Sequence, residues 1–154
     1  MILPRDSSPT TRSDRHGEAR EILRDLIENS RETYGPNSET ALKFRALLAQ
    51  SLYSDNHAER AEKAEAVAML EDLVATSRQV FGESHPFSIS ARDNLNRAQY
   101  SLKVAMLSWE LYPDGEPVEK PSLADLTAAL ERAGLDIDEV GGMEMLEGYY
   151  GLRV

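Results

Sequence analysis

The chain has 154 residues, no cysteine and a formal net charge of −10 at pH 7. This length suits about one domain, and the lack of cysteine excludes disulfides and thiolate metal sites. Phosphate backbones attract Lys and Arg, so the acidic balance disfavours nucleic-acid partners. No run of about 18 apolar residues occurs, so membrane insertion is not expected.

Residues 1–16 carry charges together with Arg, Ser, Thr and Pro, a composition typical of a disordered lead-in. They lack the apolar stretch of a secretory signal, so we expect a cytoplasmic protein. A processed organelle-targeting segment stays open as the alternative.

Residues 17–112 carry the apolar periodicity of helical hairpins. The first helix covers about residues 18–34 and ends at Gly35-Pro36, because glycine accepts the positive φ of a helix end and proline cannot continue the helix. Ser38 is the expected N-cap of a second helix, at about residues 39–53.

A third helix is predicted at about residues 57–81, beginning with an alternating-charge stretch. The fourth helix begins near Pro86, with Ser84 as the expected cap. Its apolar positions from Ala91 to Trp109 recur by alternating steps of four and three. That narrow seam predicts docking on the preceding helix pair.

The prolines of residues 113–121 predict a linker. Ser122 and Asp125 form a cap pattern for a helix at residues 123–133, which Gly134 closes. We expect residues 122–154 to be a C-terminal helical cap and tail, ending in a short helix and an irregular segment.

The segment 19–45 recurs as 66–92, and Ala19 and Ala66 are 47 residues apart. The shared residues include Leu23 with Leu70, Asp25-Leu26 with Asp72-Leu73, Ser30-Arg31 with Ser77-Arg78, and Arg45 with Arg92. A repeat of this length indicates a stacked helical array whose surface holds another protein. No third copy follows. So short an array needs a cap, which the fourth helix and residues 122–150 would supply.

The boundary from Phe81 to Leu95 reads F-G-E-S-H-P-F-S-I-S-A-R-D-N-L. It resembles the kinesin-light-chain type of tetratricopeptide repeat, which runs L-G-x-x-H-P-x-T-L-x-A-R-N-N-L-A at this place. The first copy keeps Gly35 and Arg45 but lacks His-Pro, and the 47-residue offset is longer than that family's repeat. The resemblance covers about residues 17–108. It implies an all-α, short right-handed stack of helical hairpins, followed here by a non-repeat helical segment.

The family binds extended peptides in a groove lined by the first helix of each repeat. Carried over by position, the resemblance implies that Arg45, Arg92 and Asn94 face that groove and bind a polar or acidic peptide. The counterpart of Asn94 in the first copy is Leu47, so one amide is missing. Contact of Asn94 with neighbouring helices alone is the alternative.

Catalysis is not expected. His16, His57 and His85 have no second histidine at metal-ligand spacing, no H-E-x-x-H motif occurs, and no phosphate-binding glycine pattern is present. No cofactor or metal is predicted.

The sequence thus predicts a non-catalytic protein-interaction module, an adaptor or scaffold that binds a protein or peptide. The alternative is a constitutive accessory subunit of a larger complex, buried against its neighbours through Met143, Met145, Tyr149 and Tyr150. Residues 110–147 contain 11 acidic and 2 basic residues. These charges either solvate the chain or attract a basic partner.

Overall fold

The computed structural model describes residues 12–55, 58–114 and 120–151, which form six α-helices and one 3₁₀ helix without any β-strand. The helices are α1 (Arg12–Tyr34), α2 (Glu39–Ser54), α3 (Arg60–Phe81), α4 (Pro86–Leu111), α5 (Leu123–Ala133) and α6 (Gly142–Tyr150), with the 3₁₀ helix (Ile137–Val140) before α6. The predicted all-α class is confirmed.

Local capping chemistry sets most of these boundaries. Ser38 Oγ accepts from the Ala41 amide at 3.2 Å. Ser122 and Asp125 each bond the other's backbone amide, as the sequence predicted. The cap of α4 is His85 rather than the expected Ser84, because His85 Nδ1 accepts from the Phe87 amide at 3.0 Å. Each cap satisfies a backbone amide that has no partner inside its helix.

Helix α1 begins at Arg12, so residues 12–16 of the predicted lead-in belong to this helix. The first eleven residues of that lead-in lie outside the described residues. So do residues 115–119 of the predicted linker, residues 56–57 at the expected start of the third helix, and the last three residues of the tail.

The first four helices pack in chain order, α1 on α2, α2 on α3 and α3 on α4, and α2 also contacts α4. Their shared core is made of aliphatic side chains at helical spacing: Leu42, Leu48, Ala49, Leu52, Ala66, Leu70, Leu73 and Ala98. The connection from α2 to α3 is held from α1, where Arg20 pairs with Asp55 at 2.6 Å and also with Glu62. One arginine therefore fastens this longer connection to the first helix.

Helix α4 continues past these hairpins into a second core. Its C-terminal half packs against α5 and the 3₁₀ helix, and the buried members of this cluster are Leu107, Leu126, Ala129, Leu130, Val140 and Leu146. A non-repeat helical segment follows the hairpins, as predicted. Because α4 contributes Ala98 to one core and Leu107 to the other, it joins the two.

Candidate partner-binding surface and cavity

Asn94, one of the predicted groove residues, is turned toward α2. The Tyr53 hydroxyl donates to Asn94 Oδ1 at 3.0 Å, joining α2 to α4. Burial is the largest influence on Tyr53 and raises the pKa of its hydroxyl, with the neighbouring Arg97 acting against it and Asp93 with it. The Asn94 amide therefore has a role in linking two helices.

Arg45 lies half-buried on α2 and forms an ion pair with Asp72 of α3. Helices α2 and α3 are neighbours in the stack, so this pair joins the two hairpins. The Arg45 guanidinium is therefore already paired within the chain when no partner is bound.

Arg92 is exposed on α4, and within the described part of the chain its guanidinium has no ion pair. It lies with Ile89 and Asn96 in a shallow surface depression. At about 100° per residue, positions two apart on a helix point about 200° apart. The structure therefore does not bring Arg92 and Asn94 together, and Arg92 is the predicted groove cation that is free to meet a partner.

A cavity of about 480 Å³ lies where the hairpins meet the C-terminal helices. We call it the junction cavity. Its walls come from the start of α3, the second half of α4, the 3₁₀ helix and α6. They are mostly apolar; among them are Val104, Ala105, Trp109, Val140 and Leu146. The Arg60 guanidinium lies 5.2 Å from the centre of the Trp109 ring and covers that wall.

Lys63 lines the junction cavity although the residue is only 4% exposed. Its Nζ donates to the Tyr53 carbonyl at 3.1 Å and to Ser101 Oγ at 2.9 Å. Burial lowers the pKa of this ammonium group, and the negative charge of Asp55 opposes that shift. Tyr53 thus connects the α2–α4 link through its hydroxyl with the cavity through its carbonyl.

Three large side chains surround the cavity and remain accessible. Tyr100, Met145 and Tyr149 are 38%, 55% and 67% exposed, and all three line it. A Cβ at Gly141 would lie 3.0 Å from both Met145 Cγ and Tyr100 Oη, so these two side chains converge on the glycine. We call the three residues the junction patch.

The predicted tail contacts divide between two environments. Met145 and Tyr149 belong to the junction patch, whereas Met143 and Tyr150 pack against the second core. Burial raises the pKa of Tyr150 to about 12, although its hydroxyl shares a 2.6 Å hydrogen bond with Ser108. Helix α6 therefore presents one face to its own core and another to the cavity and solvent.

Lys63, Tyr100 and Ser101 were not among the predicted site residues. Lys63 belongs to an alternating-charge stretch in which Glu62 and Glu65 are also charged, and such a stretch is typical of a solvated helix face. Nothing in that pattern distinguishes a lysine that becomes buried. Tyr100 and Ser101 follow one another within a polar segment of α4, and only the placement of α6 makes them cavity residues.

Across residues 12–55, 58–114 and 120–151, no three His, Asp or Glu side chains converge as metal ligands. None of the helices in these stretches is long and apolar enough to cross a membrane.

The fold is thus that of a helical-repeat protein with an added C-terminal helical segment. Residues 46–87, from the middle of α2 to the start of α4, match the family model of the tetratricopeptide repeat. This match confirms the predicted repeat; the kinesin-light-chain type and the handedness of the stack stay predictions. Comparisons with curated proteins and with solved structures gave no match. Such repeats are generally non-catalytic modules for protein–protein interaction, because stacked hairpins create extended binding surfaces.

Proposed function

We propose that this chain is an adaptor or scaffold whose partner, a polypeptide, binds at the junction patch. The exposure of Tyr100, Met145 and Tyr149 around one cavity carries this proposal. Aromatic and methionine side chains are enriched in protein interfaces because they bury large areas and adapt to the partner's shape. The tetratricopeptide repeat supports a polypeptide as the ligand.

The groove residues that the sequence predicted are less available to a partner than the junction patch. Arg45 is paired with Asp72, and Asn94 accepts from Tyr53, so displacing either interaction would cost binding energy. Arg92 needs no such displacement, but it lies on the other side of α4 from Asn94. A partner on the junction patch meets accessible side chains without breaking bonds within the chain.

Selection from a phage-displayed library of random dodecapeptides against the full chain tests this function. The double variant Met145→Ala/Tyr149→Ala should weaken the selected peptides by about tenfold or more, since truncating buried interface anchors commonly has that effect. Tyr34→Ala is the matched control, because Tyr34 is also 67% exposed but lies at the end of α1. It should leave the affinity unchanged.

The double variant Arg92→Ala/Asn94→Ala separates this surface from the predicted groove. Peptides that lose affinity only in this variant would overturn the junction patch and assign binding to the groove. Melting curves recorded by circular dichroism should accompany each variant, because Asn94 also links two helices.

A constitutive accessory subunit is the second candidate, and one observation favours it. Ile22 and Leu26 lie one turn apart on α1 and are 60% and 37% exposed. In the described part of the chain α1 packs against α2 and reaches α3 through the pair of Arg20 with Glu62, so its outer face carries apolar side chains in solvent. A subunit with this role would cover that face permanently.

Sedimentation of the purified chain distinguishes the two candidates. An adaptor stays monomeric and folded alone. An accessory subunit associates or precipitates, and Ile22→Glu/Leu26→Glu restores a soluble monomer.

A further inference from the structure

The junction cavity has the dimensions and chemistry of a small-molecule site. Its volume of about 480 Å³ falls within the range of about 300–1,000 Å³ that is usual for ligand pockets. Its walls on α4 and α6 belong to helices that pack in the second core, and α4 is also held by the first core. A site that is already formed loses little free energy to ordering when a ligand enters.

The hydroxyl groups around the cavity already have partners within the chain. Tyr100 donates to the Val140 carbonyl at 3.3 Å, Ser101 Oγ donates to the Tyr53 carbonyl at 2.9 Å, and Ser108 shares a hydrogen bond with Tyr150. These groups need no ligand. Among the described residues that line the cavity, the Lys63 ammonium group is the buried polar group that keeps a hydrogen for a ligand, and the Tyr149 hydroxyl lies at the exposed edge.

That ammonium group has three hydrogens, and its two acceptors, the Tyr53 carbonyl and Ser101 Oγ, are both neutral. A buried cation is stabilised far more by an anionic acceptor than by neutral ones. The negative charge of Asp55 already acts on Lys63, and an anion in the cavity would in addition take up the third hydrogen and further offset the cost of burying the charge. The cavity therefore offers a buried cationic contact beside mostly apolar walls, with the Arg60 guanidinium over its Trp109 wall.

We propose that the junction cavity binds a small amphiphilic carboxylate, an apolar chain that carries one carboxylate group. The carboxylate accepts from Lys63 Nζ, and the chain packs against Val104, Trp109 and Leu146. The ligand is a free molecule, because the cavity volume suits a whole small ligand. This site goes beyond the proposed function, which needs only the surface of the junction patch.

Isothermal titration of the full chain with decanoate and with decanol tests the proposal, each kept below its aggregation concentration. The two probes share an apolar chain and differ in charge. Decanoate should bind about tenfold more tightly or better, the ratio expected for a hydrogen bond to a charged group. Equal binding of decanol, or no binding of decanoate, would overturn the proposal.

Filling the cavity provides the positional test. Ala105→Phe places a ring in the cavity and should abolish decanoate binding. Ala19→Phe adds the same ring at an exposed position of α1 and should leave binding intact. Unchanged binding in Ala105→Phe would show that decanoate binds elsewhere, which contradicts the site.

The role of Lys63 has its own readout. Lys63→Met should remove the preference for decanoate over decanol. Should that variant fail to fold, nitrogen-15 NMR of the lysine side chains in the unmodified protein gives the answer: decanoate should raise the pKa of Lys63 and decanol should not. An unmoved Lys63 resonance with decanoate bound would refute the contact.

A competition experiment tests whether the carboxylate in the cavity instead belongs to a peptide. The acetylated and amidated tripeptide Leu-Glu-Leu carries one carboxylate between apolar side chains. Displacement of decanoate by this tripeptide at equal concentration would overturn the assignment to a free molecule. If no selected dodecapeptide depends on Met145 and Tyr149 while decanoate still binds the unmodified protein, the proposed function alone is refuted.

Discussion

Tyr53 and Asn94 link the two helices that the repeat pattern assigns to the groove, through a hydrogen bond of 3.0 Å from the Tyr53 hydroxyl to Asn94 Oδ1. The carbonyl of the same tyrosine accepts from both Lys63 and Ser101, which line the junction cavity. One residue therefore contacts both regions, the neighbouring helix α4 through its side chain and the cavity residues through its main-chain carbonyl.

Tyr53→Phe removes the hydroxyl and keeps the ring. We expect the free energy of unfolding to fall by about 1 kcal/mol, the usual contribution of one partly buried hydrogen bond. Urea denaturation followed by circular dichroism measures it. Tyr34→Phe, at a tyrosine that is 67% exposed, is the control and should change stability by less than the experimental error. Equal losses in both variants would contradict a specific role for this bond.

Gly141→Ala should destabilise the protein more than Gly142→Ala does. Both glycines have positive φ, 97° and 82°, so either alanine strains the backbone by about 1 kcal/mol or more. Only at Gly141 would the new Cβ meet neighbours, at 3.0 Å from Met145 Cγ and Tyr100 Oη. The difference in urea midpoints measures that contact, and identical midpoints would show that the junction patch adjusts without cost.

Leu42→Ala and Leu107→Ala test whether the two cores unfold together. Both leucines are fully buried, one in each core, and each truncation should cost about 2–5 kcal/mol. Because α4 belongs to both cores, we expect one shared transition. Trp109 fluorescence, which reports on the C-terminal half of α4, should coincide with far-ultraviolet circular dichroism in both variants. Separate transitions in Leu107→Ala would indicate that the C-terminal helices unfold independently.

We expect ionisation of the Tyr150 hydroxyl to lower the free energy of unfolding in strong alkali. Its pKa rises from 10.0 in the unfolded chain to about 12 in the fold, chiefly because of burial. Below pH 10 the folded and the unfolded chain both hold the Tyr150 proton, so the contribution of Tyr150 to the free energy of unfolding is fully present. That contribution is lost as the pH rises through 12, because the unfolded chain loses the proton first. The loss should reach up to about 2 kcal/mol.

Urea denaturation between pH 9 and 12 checks this, with Tyr150→Phe as the control. The variant lacks the titrating group, so its stability should decline less steeply over this range. Parallel curves for the two proteins would rule out a shifted Tyr150.

Helix positions were largely predictable because the signals that set them are local. The bounds of α5 agree with the prediction from Ser122, Asp125 and Gly134, whose contacts span only a few residues of chain. The tetratricopeptide repeat could be recognised for a similar reason, because its residue pattern reflects which helix faces pack together. The cap at His85 was missed because serine is the commoner N-cap residue, whereas here an imidazole nitrogen accepts the amide hydrogen.

The candidate site was less predictable. Helical periodicity alone places Arg92 and Asn94 on different sides of α4, although the family pattern quotes them together. Two of the four predicted tail contacts, Met145 and Tyr149, lie in the junction patch, because they share one face of α6. Met143 and Tyr150 share another face of α6 and pack against the second core.

By itself, the sequence determined an acidic all-α chain with a repeated hairpin and a further helical segment, since periodicity, caps and turn residues act over short distances. The tertiary structure alone decided that Lys63 is buried and that α6 lies beside the second half of α4. Those outcomes depend on contacts between residues about forty positions apart, such as Lys63 with Ser101 and Ser108 with Tyr150. No local pattern encodes such a contact, because its free energy exists only once both helices are packed.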